Sequence, residues 1–314
     1  MKLAITTPIR GCSIKDLKSL GSLAEQGGFY AIFSPEVPIY SAISNAQVMA
    51  ESTKKIKVGT WITNIYMREP IMCAAEALTV QELSEGRMIL GLGVSHKPVN
   101  DIFEIDMGDP YEKTKNYVTK VKSYADGSSP QLIIKRNLTP FDIHIAGLTI
   151  KTASLAGELA DGIMPYLAGR SYLKKLYAAA VASWARKDSN LETTDISFEF
   201  TAGIPVFLSD DVDAALKAAR IGVGRQVNRP FYKRVLTNSG FGDVIDKIDS
   251  GTPAEEALTE ELLNEVCLYG EPKDCRKILD SYYDIGTTLP ILTPFNVGEQ
   301  SPLDMMNQLL QLLD

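Results

Sequence analysis

Short apolar runs alternate along the chain with stretches whose apolar residues recur at helical spacing. Residues 3–7 (LAITT) form a strand-length run stopped by Pro8. Residues 13–27 follow with Ile14, Leu17, Leu20, Leu23 and Ala24 on one helical face, Ser13 placed to cap the start and Gly27-Gly28 to end it. The same alternation predicts strands over 29–33, 56–62, 88–92, 142–146, 162–164, 197–208 and 289–293. Helices are predicted over 41–53, 70–84, 111–125, 149–160, 171–186, 272–284 and 302–313, with a long helical but irregular stretch over 211–268.

Eight short apolar strands separated by helices call for parallel βαβ units covered on both faces. The fold class is therefore α/β, and eight repeats imply closure into a (β/α)8 TIM barrel with a helical insertion near strands 7 and 8. An open doubly wound sheet would want a phosphate fingerprint in its first βα turn, and Thr7-Pro8-Ile9-Arg10-Gly11 is none. No repeat, low-complexity segment or linker divides residues 1–314, so one domain is expected, with 211–268 packed against the barrel. The site then belongs to the loops after the strands: 6–10, 34–38, 60–68, 91–98, 146–149, 164–166, 208–211 and 293–296.

Composition narrows the function. Over 314 residues, 45% are hydrophobic and 23% charged, as in ordinary soluble domains. The net charge of −7 argues against a nucleic-acid partner, which needs a basic footprint. No stretch approaches the roughly 20 apolar residues of a membrane span, and the N-terminus lacks a signal-peptide pattern. Four cysteines without a CxxC pair suit free thiols in a reducing, cytoplasmic setting. Only two histidines, His96 and His144, exclude a zinc site of several histidines, the cysteines lack the spacing for a Cys-rich one, and no GxSxG supports a hydrolase.

The remaining chemistry gathers at strand ends. Gly91-Leu92-Gly93-Val94-Ser95-His96 is a glycine-rich exit, though His96 stands where a dinucleotide fingerprint needs its third glycine. It is either a tight turn or a place where the Gly93 and Val94 amides and the Ser95 hydroxyl meet a phosphate. The helix start after Ala146-Gly147 is a second anion candidate. Glu36 at the second strand end is an acid–base candidate, as is His96; both residue types also serve as ordinary loop residues. His144, inside a strand, is expected to be a hydrogen-bonded barrel residue. Trp61, Asn64, Tyr66 and Met67 could pack on a flat ring or simply on the core.

Residues 76–95, EALTVQELSEGRMILGLGVS, resemble the luciferase-like superfamily of flavin- and deazaflavin-dependent oxidoreductases. The hallmark is Leu83-Ser84-Glu85-Gly86-Arg87 followed by Leu90-Gly91-Leu92-Gly93. Residues 25–29 (EQGGF), 57–70 (KVGTWITNIYMREP), 155–162 (LAGELADG), 228–232 (NRPFY), Gly240-Phe241 and 269–272 (YGEP) match further family blocks in order. The look is nearest to coenzyme F420-dependent methylenetetrahydromethanopterin reductases.

The resemblance implies a small-molecule substrate, a homodimer, and coenzyme F420 or FMN as cofactor. It implies a non-prolyl cis peptide at Trp61–Ile62, backing the ring. It assigns Thr63 and Asn64 beneath the ring, Gly93, Val94 and Ser95 near ribityl and phosphate, and Ala146, Gly147 and Leu148 to the phosphate-side loop. Met164 and Pro165 fall beside the ring, and Glu36 at a proton-handling position. Lys97, Lys151 and Arg170 are candidates for an acidic cofactor tail. Two departures stand out: Trp61 replaces a usual glycine, and the histidine-rich loop of the sugar-phosphate dehydrogenase and luciferase branches is missing. Three readings follow: F420 hydride transfer, an FMN monooxygenase using reduced flavin and O2, and a cofactor-free binding homologue.

Overall fold

The strands of the computed structural model are, in chain order, β1 (Ala4–Thr6), β2 (Ala31–Ser34), β3 (Lys57–Thr60), β4 (Thr63–Asn64), β5 (Met88–Gly93), β6 (Asp142–Ile145), β7 (Gly162–Ile163), β8 (Glu199–Leu208), β9 (Leu268–Gly270) and β10 (Leu289–Pro294). The structure describes residues 1–7, 12–136, 138–186 and 197–313. All pairings between these strands are parallel, and β10 bonds both β8 and β1, closing the order β10-β1-β2-β3-β5-β6-β7-β8. That is the (β/α)8 barrel. β4 continues the path of β3 beside β5, and β9 extends the outer end of β8.

Two of the differences from the sequence expectation lie in the strands. The strand expected over 56–62 ends at Thr60, breaks at a cis Trp61–Ile62 peptide and resumes at Thr63. β9 had no strand signal, because three residues before Glu271-Pro272 are too few to show a period. The expected loop over 6–10 lies outside the described residues beyond Thr7.

The helices are α1 (Ile14–Gln26), α2 (Ala42–Ser52), α3 (Pro70–Leu83), α4 (Lys97–Ile102), α5 (Pro110–Ala125), α6 (Ile150–Leu159), α7 (Arg170–Trp184), α8 (Val212–Val227), α9 (Pro230–Asn238), α10 (Gly242–Asp249), α11 (Ala254–Ala257), α12 (Glu260–Val266), α13 (Pro272–Asp284) and α14 (Pro302–Leu310). Ser13 caps α1 in a reciprocal capping box with Asp16, as its sequence position suggested. Residues 211–268 resolve into α8–α12, whose apolar faces meet Phe207 and Leu167 in a separate cluster. Among the described residues no helix is long and apolar enough to cross a membrane.

Strand alternation explains the Leu-Gly-Leu-Gly motif. Leu90 and Leu92 face outward into the main core with the helices, fully buried. Burial of each such side chain contributes about 1.5–3 kcal/mol. Gly91 and Gly93 face the lumen, in phase with Ile89. The lumen is lined by Ala4, Ala31, Phe33, Ile89, Met164, Leu289 and Ile291. Its N-terminal end carries the charges: Lys2 pairs with Glu199 at 3.1 Å and Lys57 with Asp142 at 3.6 Å.

Candidate active site

The segment after β3 is held by a buried polar chain. The Glu36 carboxylate binds Arg68 with both oxygens, at 2.8 and 3.0 Å, and accepts the Asn64 backbone N–H at 2.7 Å. The side chains of Glu36 and Arg68 are 7% and 15% exposed. Arg68 also reaches Glu76 at 3.3 Å. From there the chain runs across the barrel rim. Asn64 Nδ2 donates to Asn100 Oδ1, and Asn100 Nδ2 donates to the Val94 carbonyl, each at 2.9 Å. The cis Trp61–Ile62 bond stands where the resemblance put it. Glu36 thus fixes the segment after β3 against the exit of β5. An acid–base group needs a free face, and here both oxygens are engaged.

Lumen-facing glycines receive the large side chains. A Cβ on Gly59 would lie 2.9 Å from the Phe33 ring, and one on Gly91 would lie 2.7 Å from Met164 Sδ. On Gly93 it would meet Ile62 and Ala146 at 2.9 Å, and on Gly162 the His144 ring at 2.7 Å. On Gly203 it would lie 2.3 Å from Trp61 Cζ2 and 2.8 Å from Tyr166 Cδ2. The Trp61 indole therefore spans the mouth from β3 to β8, with Phe33 on its other side at 6.3 Å between centroids. Ile62, Gly93, Ala146 and Met164 form one contiguous apolar wall.

His96 lies half-buried at the start of α4, against Tyr232 of α9. Its ring centroid is 5.4 Å from that of Tyr232, whose hydroxyl lies 3.5 Å from His96 Nε2. Tyr166 packs edge-on to Tyr232 at 5.8 Å. Burial first, and then the Arg229 charge, push His96 down to about 4. At neutral pH it is a neutral imidazole, able to exchange hydrogen bonds but not to supply a cation for a phosphate. His144 was expected to be hydrogen-bonded, yet its Nδ1 has no partner. Burial pushes it down to about 3.

The other candidates divide. Thr63 is fully buried with its hydroxyl unpartnered, at the rim. Ser95 adopts a left-handed φ of 56° where the chain leaves β5. The Pro165 carbonyl accepts the Gly203 N–H at 2.8 Å. Gly147 is turned toward Ile163, which faces the outer core, and the Leu148 carbonyl accepts the Tyr172 hydroxyl. These last two contacts point away from the lumen wall. Thr149 caps α6 with its own side chain. The three tail candidates all have local partners. Lys97 pairs with Asp101, Lys151 sits 3.7 Å over the Tyr111 ring, and Arg170 binds Glu265 at 2.6 Å.

Residues 1–289 match the luciferase-like monooxygenase family. The chain belongs to that family. Its relatives include the 5,10-methylenetetrahydromethanopterin reductase of Methanolobus tindarius, 26% identical over 292 residues, 85% of this chain and 86% of that one. The coenzyme F420-dependent tetrahydromethanopterin reductase of Methanopyrus kandleri shares the fold with a TM-score of 0.75 at 18% identity, covering 100% and 97% of the two chains. So does the EDTA monooxygenase of Chelativorans, at 0.74 and 13% identity, covering 100% and 93%. Sequence reasoning passed over Arg68 and Tyr232, although both lie within blocks that carry the family resemblance, gave Tyr166 no role beyond its place in the loop 164–166, and passed over Asn100, which no local pattern marks.

Proposed function

We propose that this member of the luciferase-like family is a coenzyme F420-dependent oxidoreductase that reduces a small electrophilic substrate at the mouth of its barrel. The observation that carries this reading is the buried Glu36–Asn64–Asn100–Val94 chain. It fixes the segment after β3 against the glycine exit of β5, on a chain whose reductase relatives span most of its length.

The residues present fit a flat heterocycle. Ile62, Ala146 and Met164 offer an apolar face, seated over Gly91 and Gly93, where a Cβ would strike them. The Gly93 and Val94 amides and the Ser95 hydroxyl are the donors we assign to the ribityl and phosphate groups, with Pro165 beside the ring. When bound, the reduced deazaflavin supplies a hydride. The chain supplies position and a dry apolar surround, and neutral His96 supplies a hydrogen-bond partner at the rim. We take the whole chain as one catalytic unit, with α8–α12 shaping the substrate side, acting as a cytoplasmic homodimer.

Titration of the purified protein with F420 and with FMN, followed by ring fluorescence, tests the reading. Selective F420 binding is expected. Selective FMN binding, with oxygen uptake on adding reduced FMN, replaces it with the monooxygenase reading. If neither binds, and Trp61→Gly restores affinity, the protein is a cofactor-free homologue.

A further inference from the structure

Besides Thr63, two threonines at the barrel mouth have no hydrogen-bond partner. Thr6 on β1 and Thr293 on β10 are 1% and 5% exposed, and neither hydroxyl is bonded. Both face the lumen: Thr6 is in phase with Ala4 and pairs with Phe33, and Thr293 is in phase with Leu289 and Ile291. The register Ala4↔Ile291, Ile5↔Leu292 brings Thr6 next to Thr293 on adjacent strands.

Strand threonines in this barrel can satisfy themselves. Thr60 donates to the Gly91 carbonyl at 2.8 Å and Thr201 to the Ile163 carbonyl at 2.7 Å. An unpartnered buried hydroxyl is destabilising, so two on neighbouring strands need a reason. They lie at the C-terminal end of the barrel, where TIM barrels keep their chemistry.

Their surroundings restrict what they can hold. Phe33, Ile291 and the Trp61 indole, which reaches Gly203 at the level of Ile291, are apolar. The paired charges of Lys2, Lys57, Asp142 and Glu199 lie at the opposite end of the lumen. Among the described residues no counter-charge faces these hydroxyls, so a carboxylate or phosphate would be buried unpaired. A neutral oxygen with two lone pairs suits two O–H donors.

We propose that Thr6 and Thr293 bind the oxygen of a small neutral carbonyl substrate, or of the corresponding alcohol, while Trp61 and Phe33 cover its carbon skeleton. This rests on the oxidoreductase reading and gives that reading its substrate class.

Thr6→Val and Thr293→Val, singly and together, test it with cyclohexanone as probe and acetate as charged control. Without cofactor, each substitution removes an unpartnered hydroxyl and is expected to raise Tm. Excess cyclohexanone is expected to raise the Tm of the wild type but not of the double variant, and acetate to raise neither. With reduced F420, each substitution is expected to raise KM for cyclohexanone about tenfold, as loss of one hydrogen bond implies. F420 affinity and the Thr→Ser variants are expected to stay near wild type. The proposal is overturned if the valine variants lose Tm, if they weaken F420 rather than ketone binding, or if cyclohexanone shifts wild type and double variant alike. Failure to bind F420, with the cyclohexanone shift and its loss in the double variant intact, counts against the cofactor reading alone.

Discussion

Replacing Glu36 separates a positioning carboxylate from an acid–base one. In Glu36→Ala, Arg68 keeps only Glu76, at 3.3 Å and with that side chain 41% exposed. Removing one partner of a buried ion pair costs about 3–5 kcal/mol, and the surviving Glu76 contact puts this case toward the low end. The Asn64 N–H, at a residue 3% exposed, also loses its acceptor, which adds about 1–3 kcal/mol. A total of about 4 kcal/mol is expected. Glu36→Gln keeps one oxygen that can accept from both the Asn64 N–H and Arg68 Nη1, but it loses charge assistance and turns an NH2 toward Arg68 Nη2, about 1–3 kcal/mol.

Urea unfolding followed by tryptophan fluorescence measures both. With a slope near 3 kcal/mol/M, alanine is expected to lower the midpoint by roughly 1 M or more and glutamine by about half that or less. Cofactor affinity should fall in the same order, since the segment carrying Ile62–Asn64 loses its anchor. The reasoning is refuted if Glu36→Gln abolishes turnover while midpoint and cofactor affinity stay at wild type. Glu36 would then act on the substrate rather than through Arg68 and Asn64.

Burial holds His144 at about 3 and His96 at about 4, so both bind protons more readily once unfolded. Stability is therefore intact above about pH 6.5 and falls toward pH 3; His144 alone accounts for roughly 4 kcal/mol of that, and His144→Leu should flatten urea midpoints measured against pH. Gly203→Ala forces a methyl to within 2.3 Å of Trp61 Cζ2 and should cost about 1–3 kcal/mol in wild type but much less in a Trp61→Leu background, by a double-mutant cycle. Asn100→Ala leaves the Asn64 amide and the Val94 carbonyl unpartnered at a residue with 0% exposure. It should cost about 3 kcal/mol and weaken cofactor binding in a fluorescence titration.

What could be seen in the sequence was local. The apolar run at residues 88–92 and the capped helix after Ser13 place their own elements, because neighbours in the chain decide them. Eight such units were enough to imply closure. The break at Trp61–Ile62 was available only through the family resemblance, since KVGTWI shows an unbroken strand pattern. The Glu36–Arg68 pair, Asn100 between Asn64 and Val94, and Thr6 beside Thr293 depend on register between distant strands and loops. No periodicity encodes that register.

The same limit explains Trp61. By itself, an indole in place of a glycine looks like an obstruction. The barrel interior is close-packed, so each large inward side chain needs a small position opposite it. Phe33 has Gly59, Met164 has Gly91, His144 has Gly162, and Trp61 has Gly203. The indole that follows β3 is thus matched by a glycine on β8, and it rests across the mouth on a surface shaped for it. A side chain seated this way forms a wall of the site. The pairing that makes it a wall joins two positions that only barrel closure brings together.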